Sequence, residues 1–219
     1  MQTGKIRYLV FGDVHGNLPA LEQMLIAEKN NYDVLISHGD VVNYGPWSNE
    51  CVDLLKEKNC ICLKGNHEEF FLKGIYTGKN EVAQAFFKFC YPYFKRHETI
   101  SNYIDHFEIP DYKITHILGN RYIYPDSNID DLKISGNYIF GHSHYQFQKK
   151  INEFYLYNTG SVGQNRAFIN LVGYLLVDTT QKVTMKNIKY DVDVVINEMI
   201  NRNYPSICIN YYKQKNRMI

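Results

Sequence analysis

Short apolar runs alternate with helical patterns over the first third of the chain. The apolar runs predict buried strands at 5–11, 33–37 and 60–64. Between them, the spacing of apolar residues predicts helices near 18–29 and 49–58, the second of them capped by Ser48. Strands and helices in this order pair as parallel strands through right-handed crossovers, so we expect an α/β fold.

Residues 68–110 show a different pattern, in which aromatic side chains recur at helical spacing. Helices are predicted at 81–95 and 98–107, and Pro110 ends the second one. We therefore expect a helical insertion over about 68–110. Its aromatic stretch between Phe86 and Phe94 is typical of a core face, or of a face through which a homodimer forms.

Strands dominate again after residue 112, and a last helix follows them. The predicted strands are 112–117, 137–140, 146–151, 154–158, 171–178 and 182–190, and the helix is 192–201. Several of these strands are adjacent, which favours antiparallel hairpins. No repeat, low-complexity tract or linker interrupts the pattern, so we expect a single domain over 1–219.

Composition narrows the class of protein without naming a reaction. With 45% hydrophobic and 21% charged residues the chain is of globular type, and a net charge of +1 argues against a nucleic-acid partner. No window is long and apolar enough to span a membrane. The five cysteines lack disulfide-framework spacing, and no signal segment precedes the first strand, so we expect a cytoplasmic protein.

Four predicted strands end in polar side chains that folding does not require. These side chains lie in "FGDVHGN" (Asp13, His15), "HGDVVNYGP" (Asp40), "KGNHEE" (Asn66, His67) and "GHSHY" (His142, His144). In an open α/β sheet, ligands bind beyond the carboxyl ends of the strands, so all four segments point to one rim. Any one of them alone is typical of a turn. Together they predict a binding site, because polar groups massed at one place are costly unless something binds there.

The residue types at this rim indicate metal chemistry. Imidazole nitrogens with carboxylate and amide oxygens are mixed N/O ligands, suited to manganese, iron, nickel, cobalt or zinc. Asp13 and His15 are spaced i, i+2, as are His142 and His144, which puts both members of each pair on one side of an extended segment. The glycines that flank them allow sharp turns.

These stretches resemble the motifs of the calcineurin-like metallophosphoesterase superfamily. The matching stretches are "GDVHGN", "GDVVNYGP", "GNHE" and "GHSH". The superfamily also has a lone histidine between the last two, and His116 in "KITHILGN" takes that place. A later stretch, "NTGSVGQNR" at 158–166, resembles the small bacterial and archaeal phosphodiesterase branch. The resemblance extends over nearly the whole chain.

The resemblance implies a four-layer α/β/β/α sandwich of mixed sheets with two divalent transition-metal ions at its rim, manganese first among the candidates. One ion would be held by Asp13, His15, Asp40 and His144. The other would be held by Asp40, Asn66, His116 and His142, with Asp40 bridging. His67 would be the catalytic histidine. A hydroxide bridging the two ions would attack the phosphorus of a phosphate ester.

The sequence departs from the superfamily pattern at three places. The residue after His116 is isoleucine where glycine is usual, which leaves His97 and His106 as alternative ligands. Asn43 and Tyr44 stand where the protein phosphatase branch has Asp-Arg. Loss of that arginine removes a bidentate phosphate clamp. Asn43 can accept a hydrogen bond from His67, but it cannot stabilise an imidazolium by charge.

We expect a phosphodiesterase acting on a small phosphate ester such as a nucleotide, with Asn17, Tyr44 and Arg166 contacting the substrate. Arg166 suits phosphate best, although a surface ion pair would explain it equally well. A phosphomonoesterase acting on a nucleotide or phosphoprotein is the alternative within enzymes. From another class, the same fold serves as a non-catalytic protein-binding scaffold in a eukaryotic membrane-coat complex.

Overall fold

The computed structural model of the protein describes residues 5–180 and 182–219, which form ten strands and seven α-helices. The strands are β1 (Arg7–Phe11), β2 (Val34–Ser37), β3 (Ile61–Cys62), β4 (His106–Ile109), β5 (Tyr112–Thr115), β6 (Asn137–Phe140), β7 (Gln146–Ile151), β8 (Phe154–Thr159), β9 (Leu171–Asp178) and β10 (Val183–Lys189). The helices are α1 (Leu18–Ala27), α2 (Ser48–Glu57), α3 (Asn66–Lys73), α4 (Glu81–Cys90), α5 (His97–Ser101), α6 (Val192–Asn201) and α7 (Ser206–Lys213). In the described ranges, every helix is too short or too polar to cross a bilayer.

The first sheet has the strand order β10-β9-β1-β2-β3. Strands β1, β2 and β3 are parallel, which confirms the prediction from the β-α-β-α-β order. On the other side of β1, β9 runs antiparallel and pairs with β10 in a hairpin. The parallel arrangement brings the carboxyl ends of β1, β2 and β3 to one edge of the sheet.

The second sheet has the order β4-β5-β6-β8-β7. Its centre is parallel, because β6 pairs in parallel with both β5 and β8, while β4 and β7 are antiparallel edges. The carboxyl ends of β5 and β6 therefore also share an edge. There the N–H of Gly141, just after β6, donates to the carbonyl of His116, just after β5, at 3.1 Å.

The two sheets face each other across a hydrophobic core. Val10 and Ile36 from the first sheet meet Ile114 and Ile139 from the second, and all four are fully buried. Successive residues of β1 point to opposite faces, so Phe11 packs on the other side, where the helices lie. Mixed sheets with a helical layer confirm the predicted α/β fold class.

The outer face of the second sheet is covered by irregular chain. Residues 117–136, all of them described, contain turns and no helix. Leu118, Ile123 and Ile129 from this segment pack on Phe140 and Leu156 of the sheet. The fourth layer is therefore an irregular cover rather than a set of helices.

One predicted helix is wrong over most of its length. The segment 98–107 forms α5 only as far as Ser101, and His106–Ile109 then forms β4. Along β4 the side chains at Phe107 and Ile109 turn inward and their neighbours turn outward, which is strand periodicity. Pairing with β5 satisfies the backbone of this segment, so the tertiary contact decides its structure.

The C-terminal helix α7 was not expected. The last helix predicted from the sequence is 192–201, yet Tyr212 on α7 is fully buried. Cys208 lies four residues earlier on the same face of α7 and is also fully buried.

The predicted cap of helix α2 at Ser48 is wrong. Helix α2 begins at Ser48 itself, and the Ser48 hydroxyl accepts the backbone N–H of Asn43 at 3.0 Å.

Three rings of the aromatic stretch, two on α4 and one shortly after it, belong to the core. Phe86, Phe87 and Phe94 are at most 6% exposed, and the ring of Phe86 lies 6.2 Å from that of Tyr212 on α7. Of the two predicted uses of this stretch, the structure favours core packing, because these rings are not available to a second copy of the chain.

We predict that Phe86→Ala lowers the free energy of unfolding by about 3–5 kcal/mol, because it leaves a cavity in a fully buried site. The control is Tyr93→Ala, since Tyr93 is 68% exposed, and it should change the free energy by less than about 1 kcal/mol. Urea unfolding followed by circular dichroism measures both. A loss for Phe86→Ala that vanished on dilution would instead indicate a dimer face.

Candidate metal centre

Backbone hydrogen bonds join the loops that follow β1 and β2. The N–H of Asp13 donates to the carbonyl of Gly39, and the N–H of His15 donates to the carbonyl of Asp40, both at 2.9 Å. The second sheet is tied to the same place, since Oδ2 of Asp13 accepts the backbone N–H of His142 at 2.9 Å. Side chains from distant parts of the sequence are thereby held at one edge of the two sheets.

Five of the predicted metal ligands have left-handed backbone conformations. Their φ angles are 49° at Asp13, 49° at His15, 55° at Asp40, 68° at His142 and 62° at His144. Each such residue costs roughly 1–2 kcal/mol, and histidine in particular gains nothing locally that would compensate. Strain concentrated in this way is typical of a functional site, where the direction of the side chains matters more than a low-energy backbone conformation.

The first group of candidate ligands consists of Asp13, His15, Asp40 and His144, each buried and with its ligand atom within 4.8 Å of the others. The two Nε2 atoms of His15 and His144 are 3.2 Å apart. Oδ1 of Asp13 lies 3.4 Å from Nε2 of His144 and has no hydrogen-bond partner in the described part of the chain. Oδ2 of Asp40 lies 3.9 Å from Nε2 of His15.

The protonation of these two histidines fits a cation between them. Nδ1 of His15 faces the carbonyl of Val42 at 3.3 Å, and Nδ1 of His144 faces the carbonyl of Gln164 at 3.0 Å. Carbonyls only accept, so each Nδ1 carries the proton of the neutral ring and each Nε2 presents a lone pair. Two lone pairs 3.2 Å apart repel each other, whereas a metal ion would bind both.

The second group shares Asp40 with the first and adds His116, His142 and the amide of Asn66. Nε2 of His116 is 3.3 Å from Oδ2 of Asp40, 3.1 Å from Oδ1 of Asn66 and 3.2 Å from Nδ1 of His142. One carboxylate oxygen thus faces ligand atoms of both groups. His97 and His106, the alternatives to His116, lie elsewhere: His97 packs on Phe94, and His106 is exposed on β4.

Charges inside the cluster shift its pKa values in opposite directions. Burial disfavours the ionised form of Asp13 and Asp40, yet the surrounding imidazoles lower the pKa of both carboxyls below their usual range. Burial also opposes a charge on His116, but the Asp40 carboxylate outweighs it and raises the pKa of His116 to about 9. Burial and the charge of His116 lower the pKa of His142 to about 3. A proton on His116 thus occupies a position that favours any cation.

His67 lies beside both groups with one ring nitrogen committed. The Asn43 amide Nδ2 donates to Nδ1 of His67 at 2.9 Å, so the proton of the neutral ring is on Nε2. Burial lowers the pKa of His67, which makes this neutral form the one present at pH 7. Within the described residues Nε2 has no protein hydrogen-bond partner. His67 therefore presents an N–H donor although Asn43 provides no negative charge.

Glu68 was missed in the sequence, although it organises the site. Its buried carboxylate accepts the backbone N–H groups of Gly65 and Asp40 at 2.8 Å, of Val41 at 2.7 Å and of Val42 at 3.2 Å. Burial and the Asp40 charge raise the pKa of Glu68 to about 7, against the effect of these donors. The available signal was its position, three residues after Gly65 at the start of α3, where a glutamate caps a helix.

The three predicted substrate-contacting residues occupy different positions. Asn17 is fully buried, and its amide caps α1 through Ala20 N–H and donates to the carbonyl of Gly163 and to the hydroxyl of Tyr190. This structural use leaves Asn17 no free donor for a substrate. Tyr44 packs against His15, with ring centroids 4.8 Å apart.

Arg166 is half-buried near the same rim. Its backbone N–H donates to the carbonyl of His144 at 3.2 Å, and its Nη1 donates to the hydroxyl of Tyr211 at 2.8 Å. The backbone bond ties Arg166 to one of the candidate ligands, while its side chain points to α7. Arg166 and Tyr44 are thus the two predicted substrate contacts whose side chains remain at the rim.

Comparison with known proteins decides the family. The family model described as calcineurin-like phosphoesterase matches residues 6–196. The chain belongs to this family. A protein of unknown function from Methanocaldococcus jannaschii is 30% identical over an alignment of 234 positions, gaps included, that covers 90% of this chain and 93% of that protein.

Solved structures share the fold of this calcineurin-like phosphoesterase. A metallophosphoesterase from Sphaerobacter thermophilus is 21% identical, with a TM-score of 0.80 over 97% of this chain and 100% of that one. A hypothetical protein from Pyrococcus horikoshii OT3 is 14% identical, with a TM-score of 0.79 over 94% and 97%. At these identities the likeness concerns the fold alone.

The family membership makes this chain a metal-dependent phosphoester hydrolase. The buried Asp/His cluster fits that requirement for divalent metal, because its carboxylates, facing lone pairs and unpartnered Oδ1 of Asp13 are the features that a bound cation would satisfy. The non-catalytic scaffold, the alternative from another class of protein, is set aside.

We predict that Glu68→Gln destabilises the metal-free protein by about 2–3 kcal/mol, because an amide NH2 would face backbone N–H donors that the carboxylate now satisfies. Glu69→Gln is the matched control, since Glu69 is an exposed neighbour on α3 and should change stability by less than about 0.5 kcal/mol. Urea unfolding compares them. Equal stability of the two variants would contradict the proposed importance of Glu68.

We also predict that metal binding releases about one proton at about pH 7.5. A histidine must be neutral to bind a metal, and His116, with its pKa raised to about 9, is protonated there. Metal affinity should therefore rise with pH up to about 9 and then level off. Titration calorimetry in buffers of different ionisation enthalpy counts the protons. The release should disappear in His116→Ala, and its absence from the wild-type protein would argue against the Asp40–His116 coupling.

Proposed function

We propose that the protein is a phosphodiesterase that hydrolyses a small phosphate ester with two divalent ions, manganese first among the candidates. The shared position of Asp40 carries this proposal, because its Oδ2 lies 3.9 Å from Nε2 of His15 and 3.3 Å from Nε2 of His116. One carboxylate oxygen facing both groups is what a bridging ligand requires. The five free cysteines are compatible with a reducing, cytoplasmic setting.

Each group of residues would hold one ion. Asp13, His15 and His144 would bind the first, Asn66, His116 and His142 the second, and Asp40 both. Two ions bound there would clamp the phosphate and bring the pKa of a water molecule down to roughly neutral. The protein's own part is to orient the ester against them and to supply a proton to the oxygen that leaves.

His67 is the proposed proton donor. Asn43 holds the ring by Nδ1 and leaves the proton on Nε2. To act as an acid the ring must first take up a second proton on Nδ1, toward which the Asn43 amide would turn its Oδ1. The imidazolium would then pass its Nε2 proton to the leaving oxygen as the bond to phosphorus breaks, and the ring would return to the neutral form. The ring of His67 is 5.0 Å from the ring of His15 by centroid, so the donor stands next to the first group of ligands.

Arg166 is the proposed phosphate-binding side chain. Five of the six arginines each have a carboxylate partner within 4.0 Å, and Arg166 is the exception among the described residues. The sequence left two uses open for Arg166, phosphate binding and a surface ion pair. Among the described residues the ion pair is not formed. A half-buried guanidinium without an anionic partner, beside a phosphate-processing site, is suited to bind the phosphate itself.

Two observations bear on the kind of ester. Tyr44 takes the place of a second arginine, so the rim has fewer cations than a dianionic monoester would favour, which supports a diester. Tyr122 and Tyr124 are 55% and 39% exposed and stacked, and the Tyr122 ring lies 4.0 Å from the ring of His142. Exposed aromatic faces beside a phosphate site support a nucleotide, whose base can stack on them.

The deciding experiment measures manganese-dependent hydrolysis of bis(nitrophenyl) phosphate and of nitrophenyl phosphate. We expect activity on both after manganese loading, with the larger kcat/KM for the diester, and loss of activity on chelation. A larger kcat/KM for the monoester would favour the phosphomonoesterase alternative. No metal-dependent hydrolysis of either ester would reject the proposal.

A second manganese-dependent assay uses a phosphodiester with an alkyl leaving group. There His67→Ala should lower kcat by about 10²–10⁴-fold, because a poor leaving group needs a proton. For the nitrophenyl ester the loss should be smaller, since nitrophenolate leaves as a stable anion. His97→Ala is the control, because His97 lies outside both groups of candidate ligands. Equal losses for the two esters would assign His67 a role other than proton donation.

A further inference from the structure

A second cation lies near Arg166 and is held by the same tyrosine. Nη1 of Arg166 donates to the hydroxyl of Tyr211 at 2.8 Å, and Nζ of Lys215 lies 4.7 Å above the centre of the Tyr211 ring. Tyr211 belongs to α7, and Lys215 follows that helix. One aromatic side chain thus holds a guanidinium at its tip and an ammonium over its face.

Neither cation has an anionic partner among the residues that the structure describes. Over residues 5–180 and 182–219, no carboxylate lies within 4.0 Å of the charged nitrogens of Arg166 or Lys215. Both residues are half-buried, so water screens their repulsion only in part. Burial and the nearby Arg166 charge lower the pKa of Lys215, which is the direction that two close cations without a counterion produce. The fold keeps an arrangement that an anion would stabilise.

The pair borders the metal centre. The Tyr211 ring lies 6.1 Å from the ring of Tyr44, which in turn lies 4.8 Å from that of His15. Arg166 is tied by its backbone to the carbonyl of His144. Both cations therefore lie on a wall that adjoins the metal centre through Tyr44 and Tyr211.

We infer that Arg166, Tyr211 and Lys215 form a subsite for a second phosphate group, attached close to the phosphate that is hydrolysed. The inference rests on the proposed function and narrows its substrate to esters that carry two neighbouring phosphates. Lys215 and Arg166 supply two positive charges, and the Tyr211 hydroxyl, which accepts from Arg166, keeps its own proton to donate. Tyr211 and Lys215 lie outside the segment 6–196 matched by the family model, whereas Arg166 lies within it.

The test compares inorganic pyrophosphate with inorganic phosphate, each titrated into the manganese-loaded protein by calorimetry. We expect wild-type protein to bind pyrophosphate the more tightly. Lys215→Gln should weaken pyrophosphate by about tenfold, the usual effect of losing one charge-assisted contact, and phosphate by less than about twofold. Lys215→Arg should restore most of the affinity for pyrophosphate. Pyrophosphate itself binds manganese, so all variants are titrated with the same manganese and pyrophosphate solutions, and this contribution is then equal in every comparison.

The matched control is Lys150→Gln, because Nζ of Lys150 lies 5.3 Å over the ring of Tyr155 on another surface. It removes the same charge from the same kind of contact and should leave both affinities unchanged. Unchanged pyrophosphate binding in Lys215→Gln would overturn the inference, and so would equal weakening of both anions, which would indicate a general effect of charge. Calorimetry needs no turnover, so a subsite that fails and an ester hydrolysis that fails are separate results.

Discussion

The carboxylate of Glu68 is the constraint on which the geometry of the metal centre depends. It accepts N–H groups from Gly65 and from the consecutive residues Asp40, Val41 and Val42, and so fixes the loop after β2 against the start of α3. That junction sets the direction of the Asp40 side chain, whose Oδ1 in turn accepts the N–H of His67. Close packing enforces the junction, because a Cβ at Gly65 would lie 2.1 Å from Oδ1 of Asp40. The side chain shared by both groups of ligands is thereby held before any metal binds.

The metal-free centre lowers the stability of the fold, and its position between the two sheets explains how the fold compensates. Five ligands with positive φ, two buried carboxylates and four clustered imidazoles all oppose folding. They lie where parallel strands of two sheets end, and the hydrophobic core between those sheets fixes the strand ends. A bound cation would offset the negative charge of the two buried carboxylates and would remove the repulsion between the facing imidazole lone pairs. The metal would therefore act as part of the folded core as well as in the reaction.

Much of this arrangement could be predicted from the sequence because it follows from strand ends. Apolar runs located β1, β2 and β6, and the rule that carboxyl ends of parallel strands share an edge gathered their polar neighbours. His116 follows β5 by the same rule, although the residue after it departs from the family motif. The role of each side chain as a ligand stays a prediction. Contacts that depend on chain far away in sequence could not be predicted. The role of Glu68 depends on its hydrogen bonds to the loop that contains Asp40. Strand β4 forms only because β5 pairs with it, and Tyr212 is buried only because α4 packs on it.

The molecule separates the chemistry from the choice of substrate. The candidate ligands stand on strand ends of two sheets, where small movements are resisted by the core, and this part lies within the family match. The rim above them is built from other parts of the chain: Tyr122 and Tyr124 from the irregular cover of the second sheet, and Tyr211 and Lys215 from the C-terminal helix and the residue run after it. These segments carry little of the sheet architecture, so their residues can change without disturbing the metal centre. If the proposed function holds, substrate specificity should therefore depend on 117–136 and 206–215 together with Arg166, while the reaction itself depends on the strand ends.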